Sequence, residues 1–129
     1  MCGIAGLLAA PGQPQAIAPD AIRRMGDSIA HRGPDDRGEW IDAEQGIALA
    51  HRRLAILDLS AAGHQPMMSA DKKFIITFNG EIYNFLDIQK ELLNLGYKFQ
   101  SKTDTEVILY AYQEWGAACL QKFNGMFAF

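Results

Sequence analysis

The pattern of apolar and polar positions predicts strands and helices in alternation along the 129 residues. The first apolar run, residues 2–9, is punctuated by glycine and followed by Pro11-Gly12, so it predicts a short strand that ends in a turn. Downstream, Ile22, Met25 and Ile29 are spaced three and four apart between charged positions, which indicates an amphipathic helix. The chain therefore opens with one strand and one helix.

The middle of the chain predicts a hairpin and then a separate strand. Residues 39–41 and 46–57 are extended segments joined through the polar turn 42–45. Residues 73–78 are rich in β-branched and aromatic side chains and form the clearest strand pattern of the sequence. Asn79-Gly80 follows, a dipeptide typical of a tight hairpin turn. Since no matching strand comes next, we expect a corner between a strand and a helix, with its amides exposed.

Two helices are predicted in the second half. Residues 85–95 carry apolar positions at helical spacing up to Gly96, which closes the helix. Thr103 and Glu106 have the spacing of a capping box, in which each residue satisfies a backbone N–H of the other. The helix that this box opens is expected to end at Gly116.

The last residues predict a short helix over 117–123 and an apolar strand over 125–129. No turn or polar tail follows this strand, which leaves its backbone and side chains without predicted partners. We therefore expect the sequence to be a piece of a longer protein. We also expect the terminal strand to promote self-association through strand pairing, as in a homodimer.

Composition and charge exclude several classes of partner. The chain is 49% hydrophobic and 21% charged, with a net charge of −3 and no basic run, so nucleic acid and anionic membranes are not expected partners. The longest apolar run at the start is interrupted by Gly6 and is too short to span a bilayer, so a cytoplasmic protein is expected. His31, His51 and His64 have no metal-ligand spacing, and no metal site is predicted.

The two cysteines differ in their sequence context. Cys119 falls in an alanine-rich helical stretch and is expected in the core. Cys2 directly follows Met1, whose removal would leave a thiol and a free α-amino group on one residue. With a pKa of about 8, that amine can take the thiol proton, so Cys2 is a candidate nucleophile without a histidine base. The alternative is a small apolar residue that opens a strand.

Charged residues at three places in the chain have both a structural and a functional interpretation. Residues 31–38, with two glycines, a proline and five ionisable side chains, are either a solvated connector or a ligand clamp. Arg52 and Arg53 interrupt an apolar strand, where one is expected to face water and the other to face inward towards a carboxylate. Asp104 in the first turn of its helix ordinarily complements the helix dipole.

A series of motifs resembles, in order and over the whole chain, the glutaminase domain of glutamine-hydrolysing asparagine synthetases. Pro34-Asp35 and the Gly-Glu-Ile-Tyr-Asn run are similar to this branch rather than to related amidotransferases that make glucosamine phosphate or phosphoribosylamine. The motifs are Met1-Cys2-Gly3-Ile4, His31-Arg32-Gly33-Pro34-Asp35, His51-Arg52-Arg53-Leu54-Ala55-Ile56-Leu57-Asp58, Gln65-Pro66, Asn79-Gly80-Glu81-Ile82-Tyr83-Asn84, Thr103-Asp104-Thr105-Glu106 and Gly125-Met126-Phe127-Ala128-Phe129.

The resemblance implies a class II glutamine amidotransferase of the N-terminal nucleophile hydrolase superfamily. Its fold class is α+β, a four-layer αββα arrangement with two antiparallel sheets, truncated here at its C-terminal side. Residues 1–129 would be an incomplete glutaminase domain that needs no cofactor. The chain lacks the Ser-Gly-Gly-x-Asp-Ser loop of the family's synthetase domains, so ATP and Mg²⁺ are expected only in that absent C-terminal domain.

The resemblance also implies an enzyme that hydrolyses L-glutamine to L-glutamate and ammonia. Cys2 would attack the amide carbon, with its own amine as the base. The Asn79 side chain and the Gly80 N–H would hold the tetrahedral oxygen. In the full-length enzyme the ammonia would feed the ATP-dependent amidation of aspartate to asparagine by the C-terminal synthetase domain.

Substrate-binding positions follow from the same motifs. Arg53 would clamp the α-carboxylate of glutamine, and the match alone selects it over its neighbour. Asp104, helped by Glu81, would bind the α-ammonium. Ile56 and Leu57 also fall on substrate-binding positions of the family. A further expectation is that Arg32, Gly33 and Asp35 belong to a loop that lines or closes the site.

Two other interpretations remain open from the sequence. In the first, the chain is still a glutaminase, but the ammonia goes to a sugar or another carboxylate, as in related amidotransferases. Alternatively, the chain is a non-catalytic fragment whose site is not assembled because closing strands are absent.

Overall fold

The structure, a computed structural model, describes residues 2–13, 17–56 and 60–129. These residues form an α+β fold in which every strand pairing is antiparallel. Its strands are β1 (Gly3–Leu8), β2 (Asp36–Asp42), β3 (Ile47–Arg53), β4 (Met67–Met68), β5 (Ile75–Ile76), β6 (Asn79–Ile82) and β7 (Gly125–Ala128). Its α-helices are α1 (Pro19–Ser28), α2 (Phe85–Asn94) and α3 (Asp104–Trp115), and short 3-10 helices cover Ala30–Arg32, Ala61–Gly63 and Gly116–Gln121.

The first sheet has the order β1-β3-β2, so β3 is hydrogen-bonded on both edges. The predicted hairpin between β2 and β3 is confirmed, and Asp42 Oδ1 closes its turn by accepting the N–H groups of Glu44 and Gln45 at 3.1 and 2.9 Å. Both strands differ in extent from the prediction. The first strand already begins inside the charged segment 31–38, and the second ends at Arg53.

Helix α1 packs on this sheet through a small, closely fitted core. Ile22, Ala48 and Ala50 are buried together. Gly26 lets the helix approach, because a Cβ atom built there would lie 3.3 Å from the Cβ of Ala50. The amphipathic helix predicted from its apolar spacing is therefore confirmed.

A second, larger core lies between α2, α3 and the short strands. Its fully buried members include Ile82, Leu92, Val107, Ile108 and Cys119. The predicted core position of Cys119 is confirmed. Gly96 and Gly116 follow α2 and α3 with φ values of 95° and 57°, a region that favours glycine, which explains why both helices end where predicted.

The prediction for residues 73–78 and Asn79-Gly80 was wrong in its details. Only Ile75–Ile76 pairs as a strand, with Met67–Met68. Asn79-Gly80 is not a corner but the start of β6, which pairs with β7 about 45 residues later. Gly80 is required for close approach rather than for a turn, because a Cβ atom there would overlap the carbonyl oxygen of Met126. A local pattern does not reveal so distant a partner.

The capping box is confirmed in only one of its two hydrogen bonds. Thr103 Oγ1 accepts the N–H of Glu106 at 3.3 Å. The Glu106 carboxylate does not return to Thr103, since it accepts the N–H groups of Gln100 and Ser101 at 2.9 and 2.7 Å and the Ser101 hydroxyl at 2.7 Å. Glu106 therefore orders the loop before α3 rather than the helix terminus alone.

The predicted terminal strand is present as β7. Its residues are mostly exposed, with Met126 at 66% and Phe129, just beyond it, at 47%. One edge of β7 is occupied by β6. Self-association through this strand stays a prediction.

Adjacent leucines on α2 test the core assignment. We expect Leu92→Ala to lower the free energy of unfolding by about 2–5 kcal/mol, because Leu92 is fully buried and its loss leaves a cavity. Leu93 is 52% exposed, and Leu93→Ala should cost less than about 0.5 kcal/mol. Urea unfolding of both variants measures the difference, and equal losses would contradict the assignment.

Candidate active site

A cavity of about 260 Å³ lies where the chain start, the end of β3, β6, β7 and the first turn of α3 meet. Six of the eight candidate catalytic and substrate-binding residues line it. Asn79 is not among the lining residues, and Leu57 lies outside the described residues. The lining residues are Cys2, Arg53, Leu54, Ile56, Gly63, Gln65, Phe78, Gly80, Glu81, Thr103, Asp104, Thr105 and Met126.

Cys2 lies at the edge of this cavity, where it is hydrogen-bonded to the residue that follows β3. Because Gly3 pairs with Arg52 in the antiparallel register of β1 and β3, this register brings Cys2 to Arg53 at the end of β3, next to Leu54. The Leu54 N–H donates to Cys2 Sγ at 3.4 Å, and the thiol donates to the Leu54 carbonyl oxygen at 3.7 Å. Arg32 Nε donates to the Cys2 carbonyl oxygen at 3.4 Å. Cys2 is thus a half-buried cavity residue and not a core residue.

The structure separates the two adjacent arginines. Arg52 faces α1, where its Nε donates to the Gly26 carbonyl oxygen at 2.9 Å and its guanidinium pairs with Asp27. Arg53 is 8% exposed and faces the cavity, with Nη1 donating to the Ser60 carbonyl oxygen at 3.0 Å. Alternation along a strand sends neighbours to opposite faces, so only the inward arginine is available to a bound anion.

Residues 31–38 brace the end of β3, and none of them lines the cavity. A Cβ atom at Gly33 would lie 2.5 Å from the backbone of Arg52, which shows how closely this loop approaches the strand. The Asp35 N–H donates to the Arg53 carbonyl oxygen at 3.0 Å, and Asp35 Oδ2 accepts the Ala55 N–H at 2.8 Å. The loop therefore supports the residues on either side of Leu54.

Asp104 contributes a buried carboxylate to the cavity. It is 5% exposed, and its Oδ2 accepts the Ile82 N–H at 3.0 Å. Burial raises the pKa of the Asp104 carboxyl, the nearby Glu81 charge raises it further, and the hydrogen bonds from Ile82 and Thr105 act in the opposite direction. With Glu81 exposed at the rim, the cavity holds two carboxylates and one guanidinium, a charge set that suits an amino acid.

Asn79 lies beside the cavity at the start of β6. It is half-buried, and its Oδ1 is a buried atom without a hydrogen-bond partner in the described part of the chain. The next residue, Gly80, lines the cavity. The two predicted donors are therefore adjacent on one strand, and only the second faces the open space.

Several site residues were missed by sequence reasoning. Gln65 was noted only as part of a motif, yet it is 5% exposed and joins two segments of the wall through hydrogen bonds to Phe78 and Thr105. Its motif was the signal that pointed to it. Met126 reaches the cavity from β7, and it too was noted only as part of a motif.

Asn84, the last residue of the Gly-Glu-Ile-Tyr-Asn run, has a structural role. Its Nδ2 donates to the Lys122 carbonyl oxygen at 2.9 Å, and its Oδ1 accepts the Asn124 N–H at 2.9 Å. The Tyr83 N–H adds a bond to the Asn124 carbonyl oxygen at 2.7 Å. This clamp fixes the chain just before β7 and so helps to seat Met126 in the wall.

No group of three or more His, Cys, Asp and Glu side chains in the described ranges can hold a metal ion. Within the same ranges, every helix is too short or too polar to cross a bilayer.

Known proteins resemble this chain over its full length. The family described as glutamine amidotransferase domain matches residues 1–129. A Methanocaldococcus jannaschii protein named provisionally as a glutamine-hydrolysing asparagine synthetase is 43% identical over all of the chain, and asparagine synthetase 3 of Bacillus subtilis is 40% identical over all of it. A Schizosaccharomyces pombe protein with a similar provisional name is 41% identical over 99% of the chain. The chain spans only 27%, 21% and 22% of these three relatives.

The buried imidazole of His51 makes stability depend on pH. Burial lowers its pKa from 6.5 to about 4, so between these values the unfolded chain binds a proton that the folded chain does not. The free energy of unfolding should therefore fall as the pH drops from about 6.5 to about 4, by about 3 kcal/mol from this group. Urea unfolding at several pH values measures the slope. The slope should be shallower in His51→Gln, and parallel curves would refute the assignment.

Proposed function

The chain belongs to the family of glutamine amidotransferase domains, and on that premise we propose that it hydrolyses L-glutamine to L-glutamate and ammonia through the Cys2 thiol. The observation that carries the proposal is one shared cavity, in which this half-buried thiol lies together with Arg53 and Asp104. A nucleophile, a cation and an anion at fixed separation are what a site needs to select free glutamine.

Recognition of the substrate uses its two charged groups. The Arg53 guanidinium binds the α-carboxylate, for which its planar fork is suited. Asp104, with Glu81 beside it, binds the α-ammonium, which keeps the Asp104 carboxylate ionised despite its burial. Ile56, which lines the same cavity, and Leu57 are the remaining substrate-binding residues.

Catalysis requires that Met1 has been removed, because its removal frees the α-amino group of Cys2. This amine takes the thiol proton as the sulfur attacks the amide carbon, and it returns the proton to the departing ammonia. The Asn79 side chain and the Gly80 N–H hold the oxyanion of the tetrahedral intermediate. One such donor is worth roughly 3–4 kcal/mol of the barrier. Water then hydrolyses the thioester, which releases L-glutamate.

The whole protein is proposed to couple this reaction to a synthesis. Ammonia passes to a C-terminal synthetase domain that amidates aspartate to asparagine, with ATP and Mg²⁺ bound in that domain. The names and lengths of the relatives support this role. Residues 1–129 would then be part of a four-layer αββα domain, of which the antiparallel sheets and helices described above are one portion.

Covalent labelling tests the nucleophile. The glutamine analogue diazo-oxo-norleucine should add once, at Cys2, and intact mass should show that Met1 is removed. Cys119 provides an internal control, because it is fully buried and burial raises the pKa of its thiol. Labelling should persist in Cys119→Ala and be lost in Cys2→Ala, as should ammonia release from glutamine. An alanine variant at Cys2 that still releases ammonia at the original rate would refute the proposal.

The adjacent arginines provide a matched test of substrate recognition. Arg53→Lys loses the bidentate fork and should raise KM for glutamine about 10–100-fold, the equivalent of ~1.5–3 kcal/mol for a hydrogen bond to a charged group. Arg52→Lys keeps a cation beside Asp27 and should change KM by less than about threefold.

Glycine 63 gives an independent check on the same group. A Cβ atom at Gly63 would overlap the guanidinium of Arg53, so Gly63→Ala should displace that flexible tip and raise KM several-fold without unfolding the chain. Steady-state ammonia release measures all three variants. Equal KM values for the two arginine variants would contradict the assignment of Arg53.

A further inference from the structure

We propose that His51 and Gln65 are positioning residues that hold the backbone of Phe78, one at its carbonyl oxygen and the other at its N–H, and thereby orient the oxyanion donors Asn79 and Gly80. This inference rests on the function proposed above for those two donors. Neither His51 nor Gln65 is assigned a chemical step, and each acts through the backbone of Phe78.

Phe78 lies between strands, yet both of its backbone polar groups are bonded. It is 3% exposed and falls in the gap between β5 and β6, where no ladder hydrogen bond is available. Gln65 Oε1 accepts the Phe78 N–H at 2.7 Å, and His51 Nε2 lies 3.1 Å from the Phe78 carbonyl oxygen. Two buried side chains thus replace the strand neighbours that would otherwise bind the backbone N–H and C=O of this residue.

The protonation state of His51 suits this role. A carbonyl oxygen only accepts, so Nε2 must carry the hydrogen that is donated to Phe78. Burial lowers the pKa of the ring to about 4. The hydrogen bond to Phe78 and the charge of Asp36 act in the opposite direction, and Arg53 and His64 lower the pKa by smaller amounts. At neutral pH the ring is therefore a neutral donor of fixed geometry.

Gln65 also connects the Phe78 backbone to the other side of the cavity. Its Nε2 donates to Thr105 Oγ1 at 3.0 Å, and Thr105 follows Asp104 in the first turn of α3. The backbone of Gln65 is seated on β2, because a Cβ atom at Gly38 would overlap the Gln65 carbonyl oxygen. One buried amide thus ties the strand of the oxyanion donors to the helix of the ammonium-binding carboxylate.

The residues on either side of Phe78 show why such support is needed. In the described part of the chain, Thr77 Oγ1 and Asn79 Oδ1 are buried without hydrogen-bond partners. Buried unsatisfied polar atoms are rare and costly, so the side chains of this segment do not stabilise its conformation by themselves. The two bonds to the Phe78 backbone supply that stabilisation.

A small displacement of oxyanion donors has a large kinetic effect. Donors act on charge that develops only in the transition state, and misplacement by about 1 Å can cost roughly 100-fold in rate. Substrate charges are bound elsewhere in the cavity, by Arg53 and Asp104. Loss of either bond to Phe78 should therefore lower kcat much more than it raises KM.

Steady-state kinetics of glutamine hydrolysis tests the proposal. We expect His51→Leu and Gln65→Met each to lower kcat about 10–100-fold while KM changes by less than about threefold. His51→Gln should retain most of the activity, because its amide nitrogen can take the place of Nε2. Gln113→Met, on α3 and away from the cavity, is the matched control and should behave like the unchanged chain. Should His51→Leu not fold, His51→Asn replaces it, since its shorter amide does not reach the Phe78 oxygen.

Hydrogen exchange of residues 78–82 separates this inference from the proposed function. Exchange there should accelerate at least about tenfold in Gln65→Met and His51→Leu but not in His51→Gln or Gln113→Met. Unchanged exchange, or equal fold-changes in kcat and KM, would overturn the positioning role. If the unchanged chain released no ammonia, the proposed function would fail, and the exchange data would still decide whether the two side chains hold the strand.

Discussion

The antiparallel pairing of β1 with β3 is the constraint on which the site depends. In this register Gly3 lies opposite Arg52, so the Cys2 thiol meets the backbone of Leu54 just beyond the end of β3. A shift by one residue would exchange the faces of β3 and turn the cavity arginine towards α1. The loop before β2 braces the same strand end through Asp35. The position of the nucleophile and the position of the cation are thus set by one pairing.

Polar side chains bind the backbone where the sheets are interrupted. The strand segments around the cavity are short, and the backbone between them is satisfied by Gln65, His51, Glu106 and Asn84 rather than by long ladders. Each of these side chains connects segments that are distant in sequence or orders a loop at the cavity wall. Because unsatisfied buried backbone groups are costly, these polar side chains are as important to the wall as its apolar core.

Local sequence patterns predicted most helices and strands, because the features that start and end these elements lie within the elements themselves or close to their ends. Apolar spacing identified α1, and glycines in the left-handed region marked the ends of α2 and α3. The predictions that failed involve partners far along the chain. Asn79-Gly80 has the sequence pattern of a turn, yet it pairs with β7 as part of a strand. The Glu106 carboxylate accepts hydrogen bonds from the preceding loop instead of from the Thr103 N–H.

The amino-acid sequence by itself determined the family, the candidate nucleophile and the identity of most charged groups in the cavity, since these follow from residue types in a fixed order. The family match selected Arg53 over Arg52, but only the tertiary structure showed that the Arg53 side chain turns inward, that Asp104 is buried, and that Gln65 and Met126 belong to the wall. The physical reason is that facing, burial and hydrogen-bond partners depend on strand register and on contacts between residues far apart in the chain, which local patterns do not contain.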